Sequence, residues 1–326
     1  MDSMTDSTNT HSNSEQGDQP DNSENNGGTY AMPHTIVNSE EEARKKQEEE
    51  AAKAKEEAER KKQEEKRQQE EAARKQKEAQ EAKDKKDVET VRNIVKEHQD
   101  AFGSFHTQGE FLEQINVFAR EKKIDGLTLQ DSSDSTKTLD VDTKGGKNNI
   151  KLRLRSQNFE VRLGKVLEDG VLTKYYYEGD STKIFENLKS DNVDRDWSSV
   201  NRQGKNIVIT QLGYYKDDKN NIKATGLPHR TTKVPEHLPL KITSLYLTFH
   251  NLKSEKIDNL EKWNIKNLKT TSEAFYDVEK FNQDLSSWTV TNPNIVKSIF
   301  KKAKISREFI KNLAKSWKTT EDHLSK

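Results

Sequence analysis

The feature that most constrains the fold is a set of apolar residues near the C-terminus that returns at a fixed interval. Trp263 recurs as Trp288, and four further pairs share the same offset of 25 positions. These are Leu260 with Leu285, Ile265 with Val290, Asn267 with Asn292, and Phe275 with Phe300. Repeats of about 20 to 29 residues are typical of leucine-rich-repeat-like solenoids, in which each unit buries its apolar face against its neighbours. The spacing therefore predicts a short repeat array over residues 240–305.

We expect the recurring residues to be structural anchors rather than ligand contacts. Tryptophans that recur beside aliphatic neighbours are explained by packing between units, although an aromatic ligand face is the alternative. The two repeat asparagines are expected to satisfy turn backbone, with a partner contact as their alternative. The predicted anchors are Phe249, Leu260, Trp263, Ile265, Asn267, Phe275, Phe281, Leu285, Trp288, Val290, Asn292, Phe300 and Trp317.

Residues 281–288 read F-N-Q-D-L-S-S-W, and Asn292 and Phe300 follow at the expected distance. This stretch resembles the unit of the BspA-type leucine-rich-repeat surface lipoproteins of mycoplasmas. The chain departs from that unit at Pro293, where the family has valine. Residues 106–114 and 233–240 look like parts of the domain that precedes the repeats in these lipoproteins. The resemblance implies a surface protein with no enzymatic activity.

The N-terminal quarter is too polar to form a core. Residues 1–38 have almost no large apolar group, which predicts a disordered leader. Residues 39–87 are nearly all Glu, Lys, Arg, Gln and Ala, which predicts a charged helical stalk with Ser39 and Glu42 as its capping box. The stalk lacks the large apolar seam of a coiled coil, so a single helix is favoured over a paired one, and a partly helical tail is the alternative.

Residues 88–239 predict an α+β domain with an antiparallel sheet. Thr107 and Glu110 form a capping box that starts a helix. Alternating apolar residues predict strands at Leu139 to Val141, at residues 150–154 and 159–163, and at Ile207 to Tyr215. Asp169 and Gly170 predict a hairpin, and Ser181 predicts the cap of a short helix through Leu188. Each repeat is expected to contain a helical segment, as at Val296 to Ala303.

At the C-terminus, residues 306–326 predict a capping helix and tail, with Ser306 as the cap. Solenoid ends need such covers, and we expect the α+β domain to cover the other end. The overall fold class predicted is α+β, with a long N-terminal helix and a short repeat array.

No motif for chemistry stands out in the chain. It has no cysteine, which excludes disulfides and thiolate metal sites, and its 8 histidines are scattered. We therefore expect no catalytic residue, no cofactor, no metal and no nucleic acid. The possible partner surface comprises Tyr175, Tyr176, Tyr177, Asn282, Gln283 and Asp284.

The resemblance to the BspA-type lipoproteins implies a non-enzymatic, antigenic cell-surface protein, and we expect its repeats to bind an extracellular or host macromolecule, as in adhesion. We expect a monomer whose native precursor is held at the membrane only through an N-terminal anchor. The given chain would then be a mature or recombinant segment that begins after the signal peptide and the lipid-bearing cysteine. A cytosolic protein is the alternative location. A hydrolase or transferase in residues 88–240 and a purely structural spacer are the alternative functions.

Overall fold

The computed structural model describes residues 35–187 and 192–326. Its contacts divide the chain into two compact units, Met1–Arg74 and Lys75–Lys326. Residues 1–34 of the predicted leader lie outside the described residues. The fold is α+β, with a long N-terminal helix, antiparallel sheets and a C-terminal helix, as predicted.

Helix α1 spans Thr35–Glu97, so it begins before Ser39, and Ser39 is not its cap. Residues 39–74 are exposed throughout. Ion pairs one turn apart support this part of the helix, such as Lys61 with Glu57 at 2.9 Å and Lys53 with Glu49 at 2.6 Å. Exposed pairs of this kind each contribute only a few tenths of a kcal/mol. Helix propensity therefore contributes much of the stability of this segment.

The second unit begins before the predicted stalk ends at residue 87. Asp84 is only 3% exposed, and the Nη1 atom of Arg155 donates to its Oδ1 at 2.6 Å. The same nitrogen reaches Oδ2 of Asp87 at 2.8 Å. From Val88 onward one face of α1 is buried, and the helix ends at Glu97. Two of the last residues of the predicted stalk therefore bind Arg155 of the second unit.

Helix α2 spans Gln108–Glu121 and starts at the predicted capping box, in which Thr107 and Glu110 each bond the other's backbone N–H. It packs with α1 against a three-stranded antiparallel sheet of β1 (Leu127–Leu129), β2 (Asn149–Leu154) and β3 (Gln157–Arg162), in that order. The strand predicted at Leu139 to Val141 is wrong. That segment forms only isolated bridges on either side, and Val141 points to solvent.

Seven further strands form two more sheets. They are β4 (Gly170–Val171), β5 (Thr173–Tyr177), β6 (Phe185–Asn187), β7 (Ile207–Gln211), β8 (Tyr214–Lys216), β9 (Ile222–Ala224) and β10 (Thr231–Lys233). One sheet has the order β10-β7-β5-β6 and the other β4-β8-β9, while the short helices α3 (Val193–Asp196) and α4 (Ser198–Asn201) lie between β6 and β7 in the chain.

Two local predictions in this region are wrong. Phe185 lies in a strand and not in a helix capped by Ser181, because it pairs with Tyr175 and the two rings stack at 5.4 Å. Leu188 of that predicted helix lies outside the described residues. The hairpin at Asp169 and Gly170 does not form either, because Gly170 pairs with Tyr215 of β8 instead.

The repeat region continues both of these sheets. Ser244 bridges Lys223 of β9 in parallel, and Thr270 bridges Ser244 in turn. In the other sheet, Asp258 bridges Lys233 of β10. We call this series of bridges between successive segments the repeat ladder and each bridge a rung, so the upstream strands β9 and β10 supply its first rungs. The buried core continues across residue 239 without a break.

Phenylalanines stack between successive units of the ladder. The rings of Phe249 and Phe275 are 4.8 Å apart, and those of Phe275 and Phe300 are 5.4 Å apart. Each unit also turns at two residues with positive φ, the first being Leu247, Glu273 and Ser298, and the second Asn251, Asp277 and Lys302. Residues 297–302 form turns after a 3-10 helix, so the helical segment predicted there is wrong.

The last unit is covered by helices α5 (Arg307–Ser316) and α6 (Glu321–Ser325). The backbone N–H groups of Ser298 and Phe300 donate to the carbonyls of His323 and Leu324, at 2.8 and 2.9 Å. These bonds occupy N–H groups that the next repeat would otherwise bind. Ser306 precedes α5, but its side chain makes no capping hydrogen bond.

Candidate functional site

The predicted anchors fall into three groups by burial. Most are buried in one continuous core, namely Phe249, Leu260, Trp263, Ile265, Phe275, Phe281, Leu285, Trp288, Phe300 and Trp317. Val290 is half-buried against that core, while Asn267 and Asn292 are exposed. Asn267 donates to the carbonyl of Leu240 at 2.9 Å, and Asn292 accepts from the backbone N–H of Asn294 at 3.0 Å.

The tryptophans form a regular set of hydrogen bonds between units. The indole N–H of Trp263 donates to the carbonyl of Pro235 at 2.8 Å, and that of Trp288 donates to Leu260 at 2.9 Å. The ring of Trp317 then stacks on Trp288 at 6.2 Å. Pro235 and Leu260 are themselves 25 positions apart, so the bond repeats with the sequence. These rings are packed inside the protein and form no aromatic ligand face.

Tyr175 does not belong to a partner surface. Its ring is buried, stacked on Phe185 and in edge contact with Trp197 at 5.2 Å. Burial, followed by the neighbouring Tyr177, raises the pKa of its phenol to about 12. Tyr176 and Tyr177 are half-buried. Trp197, which the sequence did not single out, is the buried centre of this group, and its indole donates to the carbonyl of Gly226 at 2.7 Å.

Gln283 is also misplaced in the predicted partner surface. It is 8% exposed, and its amide bonds both the N–H and the C=O of Ile257, at 2.8 and 3.0 Å. The side-chain amide of Gln283 thus takes the place of a backbone amide of a neighbouring strand and completes the hydrogen bonding that joins two units. Asn282 and Asp284 on either side are exposed, and Asp284 accepts from the N–H of Ser286 at 2.8 Å.

A different surface stands out on the repeats. Tyr246 is 39% exposed, which is unusual because Val141 and Ile184 are the other large hydrophobic residues exposed in the described ranges. Around it lies a set of tyrosine and charged side chains contributed by β8, β9 and the repeat turns. We name this set the tyrosine–lysine face: Tyr215, Lys223, Tyr246, Glu273, Tyr276, Lys301 and Lys302.

The lysines of this face are held against the rings. The Nζ atom of Lys223 lies 5.6 Å from the ring centre of Tyr215 and 5.3 Å from that of Tyr246. The Nζ atom of Lys302 lies 5.1 Å from the ring centre of Tyr276. Such contacts contribute about 0.5 to 1 kcal/mol at exposed sites. The cation–π contacts therefore favour positions of the lysines over the rings.

Glu273 links two units of the face. It pairs with Lys301 at 2.6 Å and lies beside the hydroxyl of Tyr246. Partial burial, and then the charge and hydrogen bond of Glu273, raise the pKa of Tyr246. The side chains of three consecutive turns are in this way joined into one preorganised surface.

Sequence reasoning missed this face for a structural reason. Tyr246 and Tyr276 are 30 positions apart and break the 25-residue period. Tyr215 and Lys223 come from a hairpin that precedes the repeats, and only the pairing of β9 with Ser244 brings them there. One signal in the sequence could have indicated the face. Tyr246 and Tyr276 lie close in sequence to Phe249 and Phe275, yet the two tyrosines do not follow the repeat period of those phenylalanines.

A second polar cluster surrounds a cavity of about 190 Å³ between α2 and residues 235–239. His237 contacts Glu121 at 2.5 Å, and the ring of His98 stacks on Phe118 at 4.0 Å. Burial lowers the pKa of His98. A histidine beside a carboxylate is the arrangement that a general base needs, so this cluster is where an enzymatic alternative would lie.

Neither a metal site nor a membrane span is evident in the parts that the structure covers. Within residues 35–187 and 192–326, no three or more His, Asp or Glu side chains come together as metal ligands. None of the helices in those ranges is both long and apolar enough to cross a membrane.

Residues 239–324 match the family described as "Mycoplasma protein of unknown function, DUF285". The match covers the repeats and the C-terminal helices and begins where the α+β domain was predicted to end. No curated protein and no solved structure matches the chain.

Proposed function

We propose that this chain is a non-enzymatic cell-surface protein whose repeats bind an extracellular or host macromolecule, as in adhesion. The proposal includes the likeness to BspA-type leucine-rich-repeat lipoproteins, an N-terminal membrane anchor and an antigenic role. Residues 239–324 match a Mycoplasma family, which supports the mycoplasmal source that the proposal assumes.

The observation that carries the proposal is the exposed ring of Tyr246 within the tyrosine–lysine face. Tyrosine is enriched at protein interfaces because it offers a large contact area at a low cost in conformational entropy. Lysines beside the rings add orientation and electrostatic steering. A purely structural spacer has no use for such a surface.

The test is capture of extracellular host proteins by the immobilised full chain. We expect Tyr246→Ser to weaken capture about tenfold, since interface tyrosines often contribute more than about 1 kcal/mol. Ile184→Ser is the matched control, because Ile184 is also exposed but lies outside the face. Equal capture by both variants would rule out the face, and no capture by the native chain would favour a spacer.

The enzymatic alternative rests on the contact between His237 and Glu121 beside the cavity. It predicts hydrolysis of a generic ester that His237→Asn abolishes. We expect no such activity, and a rate that depends on His237 would revive the alternative.

A further inference from the structure

A groove lies between helix α2 and the start of the repeats. It consists of two adjoining cavities of about 420 and 730 Å³. Four residues line both cavities, namely Glu113 and Gln114 of α2 and Leu240 and Asn267 of the repeats. We call it the amide groove. It shares no residue with the tyrosine–lysine face, so it is a separate surface.

We propose that the amide groove binds an extended peptide segment of a partner protein through the main-chain amide groups of that segment. The proposal does not depend on the tyrosine–lysine face. An oligosaccharide with acetamido groups is another source of amides, and it is an outcome of the test.

The side-chain amides of Gln114 and Asn267 bind Leu240 at its two backbone polar groups. Oε1 of Gln114 accepts the N–H of Leu240 at 2.8 Å, and Nδ2 of Asn267 donates to the carbonyl of Leu240 at 2.9 Å. Each bond uses only one half of an amide that has both an acceptor and a donor group. The other half of each amide is therefore held in a defined orientation.

The two remaining halves are a donor and an acceptor. Nε2 of Gln114 and Oδ1 of Asn267 form no hydrogen bond with the described residues. Gln114 is only 9% exposed, yet its Nε2 is not sealed from solvent, so it faces the cavities that the side chain lines. These include the smaller cavity beside His237, which adjoins the groove. A donor in so buried a side chain is expected to find a partner.

A peptide main chain matches this pair of free groups. Its carbonyl can accept from Nε2 of Gln114, and its N–H can donate to Oδ1 of Asn267. Gln283 uses the same chemistry within the protein, since its amide bonds both the N–H and the C=O of Ile257. An extended segment leaves its N–H and C=O groups available for a partner, whereas a helix uses them internally.

The charges around the groove are balanced. Two of its lysines are already paired, Lys241 with Glu110 and Lys262 with Glu236. The other acidic and basic side chains that line the two cavities, two of each sign, are Glu113, Glu121, Arg120 and Lys266. Such a surface has little net attraction for a polyanion, and it suits a segment that carries both signs of charge.

A stacked sugar fits the groove less well than a peptide. Within the described residues, the rings that line the two cavities are those of His106 and His237. His106 is 2% exposed, and His237 is engaged by Glu121 and by the ring of Phe118 at 5.4 Å. The groove therefore offers no open aromatic platform for the apolar face of a sugar ring.

The test measures the fluorescence polarisation of a fluorescein-labelled octapeptide with the full chain. Threonine alternates in this peptide with glutamate and lysine, so that it favours an extended backbone and has no net charge. A second octapeptide of the same sequence is N-methylated along its backbone, which keeps every side chain and removes the N–H donors. Fluorescein-labelled chitohexaose, whose sugar rings carry acetamido groups, is the glycan probe.

Two variants each remove one free group. Gln114→Glu keeps the acceptor for Leu240 and replaces the free NH2 group with an oxygen, and Gln108→Glu, at the first residue of the same helix, is its control. Asn267→Ala removes the free acceptor at an exposed position and serves if Gln114→Glu does not fold. Its control is Asn292→Ala, because Asn292 is exposed at the equivalent repeat position and does not line the groove.

We expect the octapeptide to bind, with an affinity that falls about tenfold on Gln114→Glu and about threefold on Asn267→Ala. Both control variants should change the affinity less than twofold, and so should Tyr246→Ser, which lies outside the groove. The N-methylated octapeptide should bind at least tenfold more weakly.

Equal binding of the two octapeptides, equal affinities of all variants, or no binding to the native chain would overturn the proposal. Tighter binding of chitohexaose that depends on Gln114 would overturn it in favour of a glycan. Because Tyr246→Ser leaves the groove intact, these outcomes do not bear on the tyrosine–lysine face.

Discussion

His106 provides a quantitative test of how the two cores are joined. It is 2% exposed and lies between the phenylalanines of the first core and Tyr214 of the second. The Tyr214 hydroxyl donates to the carbonyl of Ala101 at 2.6 Å, so its oxygen accepts from Nε2–H of His106 at 3.1 Å. Nδ1 then accepts the N–H of Gly103 at 3.1 Å. Every polar atom of the neutral ring is thereby satisfied.

Protonation of this ring should destabilise the fold. Burial lowers the pKa of His106 from 6.5 to about 4, with Lys241 acting in the same direction, while the Gly103 carbonyl, 3.1 Å from Nδ1, and Glu110 oppose it. Because the folded pKa is lowered, the unfolded chain binds the proton first, and stability is lost as pH falls from 6.5 towards 4. Linkage with these two values gives a loss of about 2 to 3 kcal/mol between pH 7.5 and pH 4.5.

The assay is urea unfolding followed by tryptophan fluorescence at both pH values, for the native chain and for His106→Gln. Other groups that titrate in this range, including His98 and His229, contribute equally to both proteins. We expect the native chain to lose about 2 to 3 kcal/mol more than the variant on acidification. Equal losses would show that His106 is not held neutral and that the assigned hydrogen-bond network is wrong.

Three further predictions concern stability. Trp288→Ala should lower the free energy of unfolding by about 3 to 5 kcal/mol, and it should speed hydrogen exchange in residues 307–317 because Trp317 stacks on Trp288. Unchanged exchange together with lost partner binding would make the ring a ligand contact instead. Removal of residues 1–74 should leave the midpoint of thermal unfolding within about 2 °C of its native value. Removal of residues 1–87 should lower that midpoint by more than about 4 °C, because Arg155 then loses both acidic partners. Equal midpoints for the two truncated chains would contradict this. Lys123→Gly should raise the free energy of unfolding in urea by about 1 kcal/mol, since Lys123 follows α2 with a φ of 59°. Lys122→Gly, at a φ of −85°, should lower it. A lower free energy of unfolding in both variants would refute the strain argument.

The sequence predicted features that depend on local chemistry and on period. The capping box of Thr107 and Glu110 needs only neighbouring residues, and it formed as predicted. Ser39 had the same pattern but lies within α1, because the helix extends N-terminally to Thr35. A favourable cap cannot stop a helix whose preceding residues are also helical.

Features that depend on distant pairing could not be predicted. Residues 181–188 carry a helix signal, yet Phe185 joins a strand because it pairs with Tyr175, whose ring packs on the buried Trp197. Gln283 looked exposed because polar residues surround it, but its amide completes a rung with Ile257. In both positions a contact made from outside the local window decides the conformation. The same holds for the tyrosine–lysine face, which two separate regions of the chain build together.

Binding of the partner by the tyrosine–lysine face is tested most directly by hydrogen–deuterium exchange of the full chain, alone and bound to a captured host protein. We expect slower exchange in residues 244–251 and 270–277, with residues 281–287 unchanged. Protection confined to residues 281–287, or to the cavity around His98 and His237, would contradict it.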